Sequence, residues 1–439
     1  MNHKRWRVVP AIIATAIMSF AGVLIETSMN VTFPTLMAEF NTTSATIQWV
    51  TTSYLLALAI VIPLSTFLVR NFSIKTLFIT ANLLFALGVL LDFLSPSLLV
   101  LVLGRIIQGV GTGIALPLMF DIILNYAPKS KRGLMMGIAT MTTSLAPAIG
   151  PTYGGLMLSL FDWRRIFLFL LPFLVLSLFL GVDGIGYESH KRGEPFNFIS
   201  FLCLAIGLST LLLAIENLSW FLGLISLISF GFFYRFNRNK PILNLTIFKN
   251  SQFVTGLFGV LAIQATVLGL SFILPNYLQL RLHVSAALSG LFMFPGAILV
   301  AVLAPLSGII MDRFGPYRPI VLGLMLMFIG MLLTTVYFSR ASFMALLMFD
   351  VVLMMGVGFA ASNLMAVALS QLTKSEQTDG NGILNTLQQF VGAMSTTIVA
   401  SLFSTFQGTT GGNLGVLLLL IVLTVASVLF MFKGRQMRI

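Results

Sequence analysis

Apolar runs of transmembrane length, each closed by a short polar break, constrain this chain more than any other feature. A helix needs about 20 mostly apolar residues to cross the hydrocarbon of a bilayer. Breaks at charged, Gly/Pro and Asn/Ser clusters predict fourteen such stretches: 8–30, 45–69, 76–94, 98–125, 133–160, 164–183, 197–216, 219–236, 252–280, 286–311, 319–338, 342–371, 378–406 and 413–432. None shows the short alternating pattern of a membrane β-barrel strand. The basic start Lys4-Arg5-Trp6-Arg7 precedes a run too long for a signal peptide and without a small-residue cleavage site, so it is expected to remain as the first span.

Composition enters as a test of that reading. The chain is 58% hydrophobic and 9% charged, against about 25% charged in soluble domains. A large soluble enzyme, a disordered chain and a secreted disulfide scaffold are excluded. Cys203 is the single cysteine and has no internal partner, and His3, His190 and His283 are scattered without metal-ligand spacing. With the N-terminus in the cytoplasm, 20 of the 25 Lys and Arg residues fall on the inner side and four on the outer, with Arg105 inside a span. This asymmetry predicts a multi-pass protein of the cytoplasmic (plasma) membrane with both termini cytoplasmic. The net charge of +12 then reflects orientation toward an anionic inner leaflet, with no nucleic-acid partner. Phosphate-loop, nucleophile-elbow and zinc-helix motifs are absent, and the longest polar stretch, 184–196, is too short for a catalytic domain. The chain is not expected to be an enzyme; an ion gradient is expected to supply the energy, with no cofactor.

An internal repeat sets the architecture. Pro63-Leu64-Ser65 and Phe72 at the end of the second stretch recur as Pro305-Leu306-Ser307 and Phe314 at the end of the tenth, 242 residues on. Arg105 stands six and eight residues before Gly111 and Gly113, and Asp350 stands six and eight before Gly356 and Gly358, 245 residues on. Each correspondence moves by eight stretches, where two adjacent six-helix halves would move by six. The expectation is an all-α membrane protein of 14 transmembrane helices. Two pseudo-symmetric six-helix bundles, 1–183 and 251–439, flank a linker, 184–250, that carries two extra transmembrane helices. Repeated halves around a midplane site are the plan of a secondary transporter.

Short motifs add a resemblance. Leu101-x3-Arg105-x2-Gln108-Gly109-x-Gly111 lies in the fourth stretch, and Gly137-x8-Ala146-x3-Gly150-Pro151-x2-Gly154-Gly155 in the fifth. Glu26-Thr27-x2-Asn30-x3-Pro34, Gln48-Trp49-x4-Tyr54, Trp163-Arg164 and Pro241-Ile242-Leu243-x-Leu245-x2-Phe248 accompany them. Together these resemble the major facilitator superfamily, specifically its fourteen-helix drug:proton antiporter branch (EmrB/QacA type), over essentially the whole chain. Ala146 replaces a usual Gly, and Glu26 stands where Asp is commoner. The resemblance implies exchange of protons for small amphipathic substrates across the lipid bilayer by alternating access; the oligomeric state is left open, with a monomer favoured. It makes the fifth-helix motif a tight outer seal against proton leak. It places the first, fourth, ninth and twelfth helices around a central cavity. It also implies a cytoplasmic latch in which Asp121 attracts Arg70 or Lys75. Here the inner-loop motif departs from the family, with Thr66 and Arg70 at its usual Gly and acid positions, while the second copy keeps Gly308, Asp312, Arg313 and Gly315.

Charges inside spans point to the mechanism. Glu26 is late in an outward-running helix, and Arg105 and Asp350 are early in inward-running ones, so all three fall at similar depth. Each costs about 2.5–3.5 kcal/mol at a helix centre on insertion scales, so each must face protein or a wet interior. Glu26 and Asp350 read as proton-coupling or substrate groups, with Arg105 tuning a neighbouring acid; the alternative is a buried cluster that pins helices together. Asn30, Gln108, Gln264 and Asn276 read as cavity polar groups or as helix–helix hydrogen bonders. The resulting expectation is a proton-coupled exporter of amphipathic drugs, cationic or neutral and lipophilic. The alternatives are an exporter or flippase of an endogenous lipid, peptide or metabolite, and a non-transporting membrane sensor.

Overall fold

The computed structural model describes residues 6–128, 132–186, 196–238, 241–406 and 409–434, and all regular structure among them is helical. In chain order the first half comprises α1 (Val8–Glu39), α2 (Ser44–Ile47), α3 (Trp49–Asn71), α4 (Ile74–Phe93), α5 (Leu98–Tyr126), α6 (Arg132–Leu160), α7 (Arg164–Leu168) and α8 (Leu171–Gly184). An inserted pair follows, α9 (Phe198–Glu216) and α10 (Trp220–Asn237), then a 3-10 turn at Leu245–Lys249. The second half comprises α11 (Ser251–Leu280), α12 (Ala286–Leu291), α13 (Phe294–Phe314), α14 (Tyr317–Tyr337), α15 (Phe343–Ser370), α16 (Lys374–Thr405) and α17 (Thr409–Lys433).

The polar breaks of the sequence are the helix starts. Ser73, Ser97, Ser219, Ser285 and Ser342 each accept a hydrogen bond from a backbone N–H in the first turn of the helix that follows. Such caps satisfy donors that would otherwise be orphaned. The helix ends lie within a few residues of the apolar runs, with one exception: α1 continues nine residues past position 30, carrying Pro34 inside it.

Among the described residues, twelve helical segments are long and apolar enough to cross a membrane, with α2–α3, α7–α8 and α12–α13 each counting as one. This falls short of the fourteen expected, because α6 and α16 are left out. Their lengths, 29 and 32 residues, are sufficient; Asn, Gln, Ser and Thr dilute α16, and the surroundings of much of α6 lie outside the described residues. A helix with as many polar residues as α16 suits protein surroundings better than lipid.

Two compact units divide the chain. The first comprises Met1–Met29, Trp49–Gly150 and Leu160–Leu243; the second comprises Asn30–Gln48, Pro151–Ser159 and Asn244–Ile439. In the first, α3 and α4 pack on α5; in the second, α13 and α14 pack on α15. The contacts repeat at the offsets found in the sequence. A β-carbon at Gly88 would stand 2.7 Å from the Gly104 carbonyl, and one at Gly330 would stand 2.8 Å from the Phe349 carbonyl. Gly113 abuts Val61 and Leu58, as Gly358 abuts Leu303 and Val300. The inserted pair packs on itself, Ser226 and Ser229 donating to the carbonyls of Gly207 and Cys203. Trp49 Nε1 on α3 donates to Glu216 at the end of α9, which ties the pair to the first unit.

Candidate functional site

Arg105 is fully buried in α5 of the first unit. Its Nε donates to the Val50 carbonyl at 2.9 Å, and one terminal nitrogen donates to Gln108 Oε1 at 2.7 Å. Its guanidinium carbon lies 4.3 Å from the centre of the Tyr54 ring, within cation–π range. The other terminal nitrogen is buried with no partner. Because a guanidinium does not deprotonate, a positive charge is fixed here and requires a counter-charge.

An acid linked to Arg105 lies on α4. Gln108, one helical turn past Arg105, donates from Nε2 to Asp92 Oδ2 at 2.7 Å. Asp92 is fully buried, and Asp92, Tyr54 and Glu26 all act electrostatically on Arg105. Glu26 on α1 is 3% exposed and lies within electrostatic reach of Arg105. The ring that carries the cation is itself held, Tyr54 donating its hydroxyl to Thr112 Oγ1 at 2.9 Å. The structure therefore brings together Glu26, Arg105 and Gln108, which the sequence singles out, and adds Asp92 and Tyr54. Asp92 is not singled out there because it stands one residue from the end of α4, where an acid reads as interfacial. The usable signal is the rule already applied to Arg105: a charge within an apolar run.

Asp350 belongs to the second unit. It is 2% exposed on α15, and both carboxylate oxygens are buried with no hydrogen-bond partner. A β-carbon at Gly296 would stand 3.1 Å from its Oδ2 and 2.7 Å from Met354 Cγ. Gly296 is the repeat counterpart of Tyr54, 242 residues on, so no aromatic plate covers this acid.

The remaining polar candidates are helix linkers in part. Asn30 donates to Ser271 Oγ at 2.9 Å. Asn276 donates to the Phe272 carbonyl at 2.7 Å while its Oδ1 stays buried without a partner. Gln264 is half-buried on α11, with Nε2 3.7 Å from where a β-carbon on Gly392 would sit. Gln389 on α16, which sequence reasoning passed over, has a buried, unpartnered Oε1.

The glycines of α6 permit close approach within each unit. Gly150 meets Leu24 and Thr27 of α1 in the first unit. In the second, Gly155 meets the Ala286 carbonyl and Gly290, and Thr152 donates to the Gly290 carbonyl at 3.1 Å. Ala146, Pro151 and Gly154 are buried, and the surroundings of Gly137 lie outside the described residues. At the latch positions, Asp121 accepts from Asn125 at 2.8 Å and Lys75 donates to the Val182 carbonyl at 2.9 Å. Arg313 is exposed, while the side chains of Arg70 and Asp312 lie outside the described residues.

Comparison with known proteins follows the same lines. The Major Facilitator Superfamily model matches residues 15–396. Lincomycin resistance protein LmrB of Bacillus subtilis (strain 168) is 32% identical over 418 residues, covering 92% of this chain and 87% of that protein. The multidrug resistance protein B homolog of Mycobacterium tuberculosis (strain ATCC 25618 / H37Rv) is 28% identical over 395 residues, covering 86% and 73%. A crystal structure of a POT family transporter in complex with 5-aminolevulinic acid superposes with a TM-score of 0.75 at 14% identity, over 98% of this chain and 97% of that one. That likeness concerns the fold.

Proposed function

We infer that this protein, which belongs to the Major Facilitator Superfamily, is a multi-pass drug exporter that trades amphipathic compounds, cationic or neutral, for protons. Its transporter kinship also sets it apart from enzymes. The observation that carries the reading is the buried cluster of Glu26, Asp92, Arg105 and Gln108. A carboxylate beside a fixed guanidinium has a protonation state that follows what else enters its surroundings, which is the property a coupling group needs. In this scheme Glu26 loses its proton inward and cargo takes its place, and a proton from outside then displaces the cargo. Asp350, a lone buried acid, is the second group whose charge cargo or a proton can compensate. The lincomycin resistance role of its relative nominates lincomycin as a first cargo.

The same reading takes α6 and α16 as crossings too, giving fourteen, a plasma-membrane location with both termini cytoplasmic, and action as a monomer. Their lengths of 29 and 32 residues exceed the ~20 a bilayer needs. Close approach at Gly155 and Gly290 supports the outer seal. Asp121 with Arg70 and Lys75, and Asp312 with Arg313 in the second copy, are the proposed latch.

The test uses everted membrane vesicles with an imposed acid-inside pH gradient, and radiolabelled lincomycin or ethidium supplied outside them. Wild type is expected to transport at least one probe and to stop when the gradient collapses. Glu26→Gln combined with Asp350→Asn is expected to abolish gradient-driven transport. Transport of neither probe by wild type overturns the drug-export reading, and intact transport by the double variant overturns the coupling assignment.

A further inference from the structure

We propose that Asp92 is the permanent counter-ion of Arg105, held there by Gln108, and that this pairing sets the pH range over which Glu26 exchanges its proton. The inference rests on the coupling role of Glu26 given above and assigns a part to a residue no motif contains.

Three observations place Asp92 in this role. It is fully buried in α4, and its Oδ2 is joined to the Arg105 guanidinium through one side-chain amide, with both links at 2.7 Å. The packing makes room for it: a β-carbon at Gly104 would stand 1.9 Å from Asp92 Oδ1 and 2.8 Å from its Cγ. Only glycine at 104 lets the carboxyl settle against the α5 backbone one residue from Arg105. Finally, the arrangement is confined to the first unit. In the second unit's repeat, Thr334 stands for Asp92 and Leu353 for Gln108, and Thr334 donates to its own helix at the Gly330 carbonyl. The relay is therefore not a packing requirement of the repeated helix pair.

Charge counting gives the consequence. With Asp92 ionised against Arg105, Glu26 sees a nearly neutral pair and exchanges its proton according to what else surrounds it. With Asp92 neutralised, Glu26 faces an uncompensated guanidinium and holds its own negative charge to lower pH. The groups facing Asp92 from neighbouring elements are few. From α5 come Arg105 and Gln108; through Arg105 it feels Tyr54 of α3 and Glu26 of α1. At the α7 end Arg164 donates to the Ser95 carbonyl at 3.2 Å and pairs with Asp162 at 3.3 Å. Arg164 is thus bound elsewhere and does not substitute for Arg105. Asp92 acts through Arg105, so it is a positioning residue.

The experiment is the pH profile of vesicle transport, measured with whichever probe the wild type carries, for wild type, Asp92→Asn, Gln108→Leu and Glu26→Gln. Membrane abundance and thermal midpoint of each purified variant are measured in parallel. Asp92→Asn is expected to move the pH of half-maximal transport down by about one unit, with Gln108→Leu moving it the same way by less. A structural role alone would lower activity at every pH without moving the midpoint. If Glu26→Gln abolishes coupled transport while the Asp92→Asn profile coincides with wild type, the inference is overturned and the Glu26 assignment stands. If Glu26→Gln transports normally, it is the Glu26 assignment that fails, together with all that rests on it. Should Asp92→Asn not reach the membrane, an unshifted Gln108→Leu profile overturns the inference in its place.

Discussion

The helix trio α3, α4 and α5 and the trio α13, α14 and α15 share one packing plan and carry opposite electrostatics. In the first, an arginine lies on Tyr54, is bonded to Gln108 and is linked through it to Asp92. In the second, the equivalent position holds Asp350, with Gly296 where the ring would be, Leu353 where the amide would be, and no hydrogen-bond partner for either carboxylate oxygen. Backbone contact is thus conserved between the halves while charge compensation is not. A repeat fold constrains where helices touch and leaves the polar cargo of each half free to diverge. One half links an acid to an arginine through a side-chain amide; the other holds an acid with no hydrogen-bond partner.

Removing the central charge of each trio should break the comparison most sharply, because the effects on stability have opposite signs. Arg105→Met strands Asp92 and Glu26 in a buried site, and breaking a buried pair in this way costs about 3–5 kcal/mol. It should lower the thermal midpoint in detergent and abolish transport. Asp350→Leu removes an unpartnered buried carboxyl, a group that costs about 1–3 kcal/mol to leave unsatisfied. It should raise the thermal midpoint while impairing coupled transport. If both substitutions destabilise, Asp350 is a structural pin and the contrast between the halves fails.

The shared backbone plan makes its own prediction of intermediate size. Gly88 and Gly330 occupy equivalent places, and an added methyl would meet the facing helix backbone at 2.7–2.9 Å in both. Gly88→Ala and Gly330→Ala should each cost about 1–3 kcal/mol and agree with one another within a factor of two. Gly308, also in a helix but with nothing within 4 Å of an added methyl, should accept alanine without loss. A large cost at one member of the pair only would show that the repeat is confined to sequence.

How much of this was legible beforehand follows from which forces are local. Helix positions were, because capping serines and apolar runs are read residue by residue; the charged pair Glu26 and Arg105 was, because lipid makes such residues conspicuous. Asn30-Val31-Thr32-Phe33-Pro34 reads as a break, yet α1 runs through it to Glu39. There Asn30 finds Ser271 and Val31 finds Gln279, partners roughly 240 residues away that no local pattern announces. The role of Asp92 was equally hidden, since it depends on Gly104 yielding space. Counting spans by apolarity misses α16 for the converse reason: its polar residues find partners in protein, as when Ser395 donates to the Ala265 carbonyl.

The smallest expected effect sharpens the comparison at the equivalent helix pair α6 and α16, whose starts at Arg132 and Lys374 again differ by 242. The first turn of α6 carries no acid, whereas that of α16 carries Glu376. The Thr373 backbone N–H and hydroxyl donate to Glu376 Oε2 at 3.1 and 2.7 Å, reinforced by the positive end of the helix. These hydrogen bonds from Thr373 hold the exposed carboxyl below its ordinary value of 4.5. A carboxylate favoured in the folded state contributes stability that is full above its unfolded value and is lost as pH falls through its folded value. Glu376→Gln should therefore lower the thermal midpoint slightly at pH 7, and the gap from wild type should close as pH drops below 4.5. A gap that persists unchanged at acidic pH would mean that the side chain acts by shape alone, and that α16 starts no differently from α6.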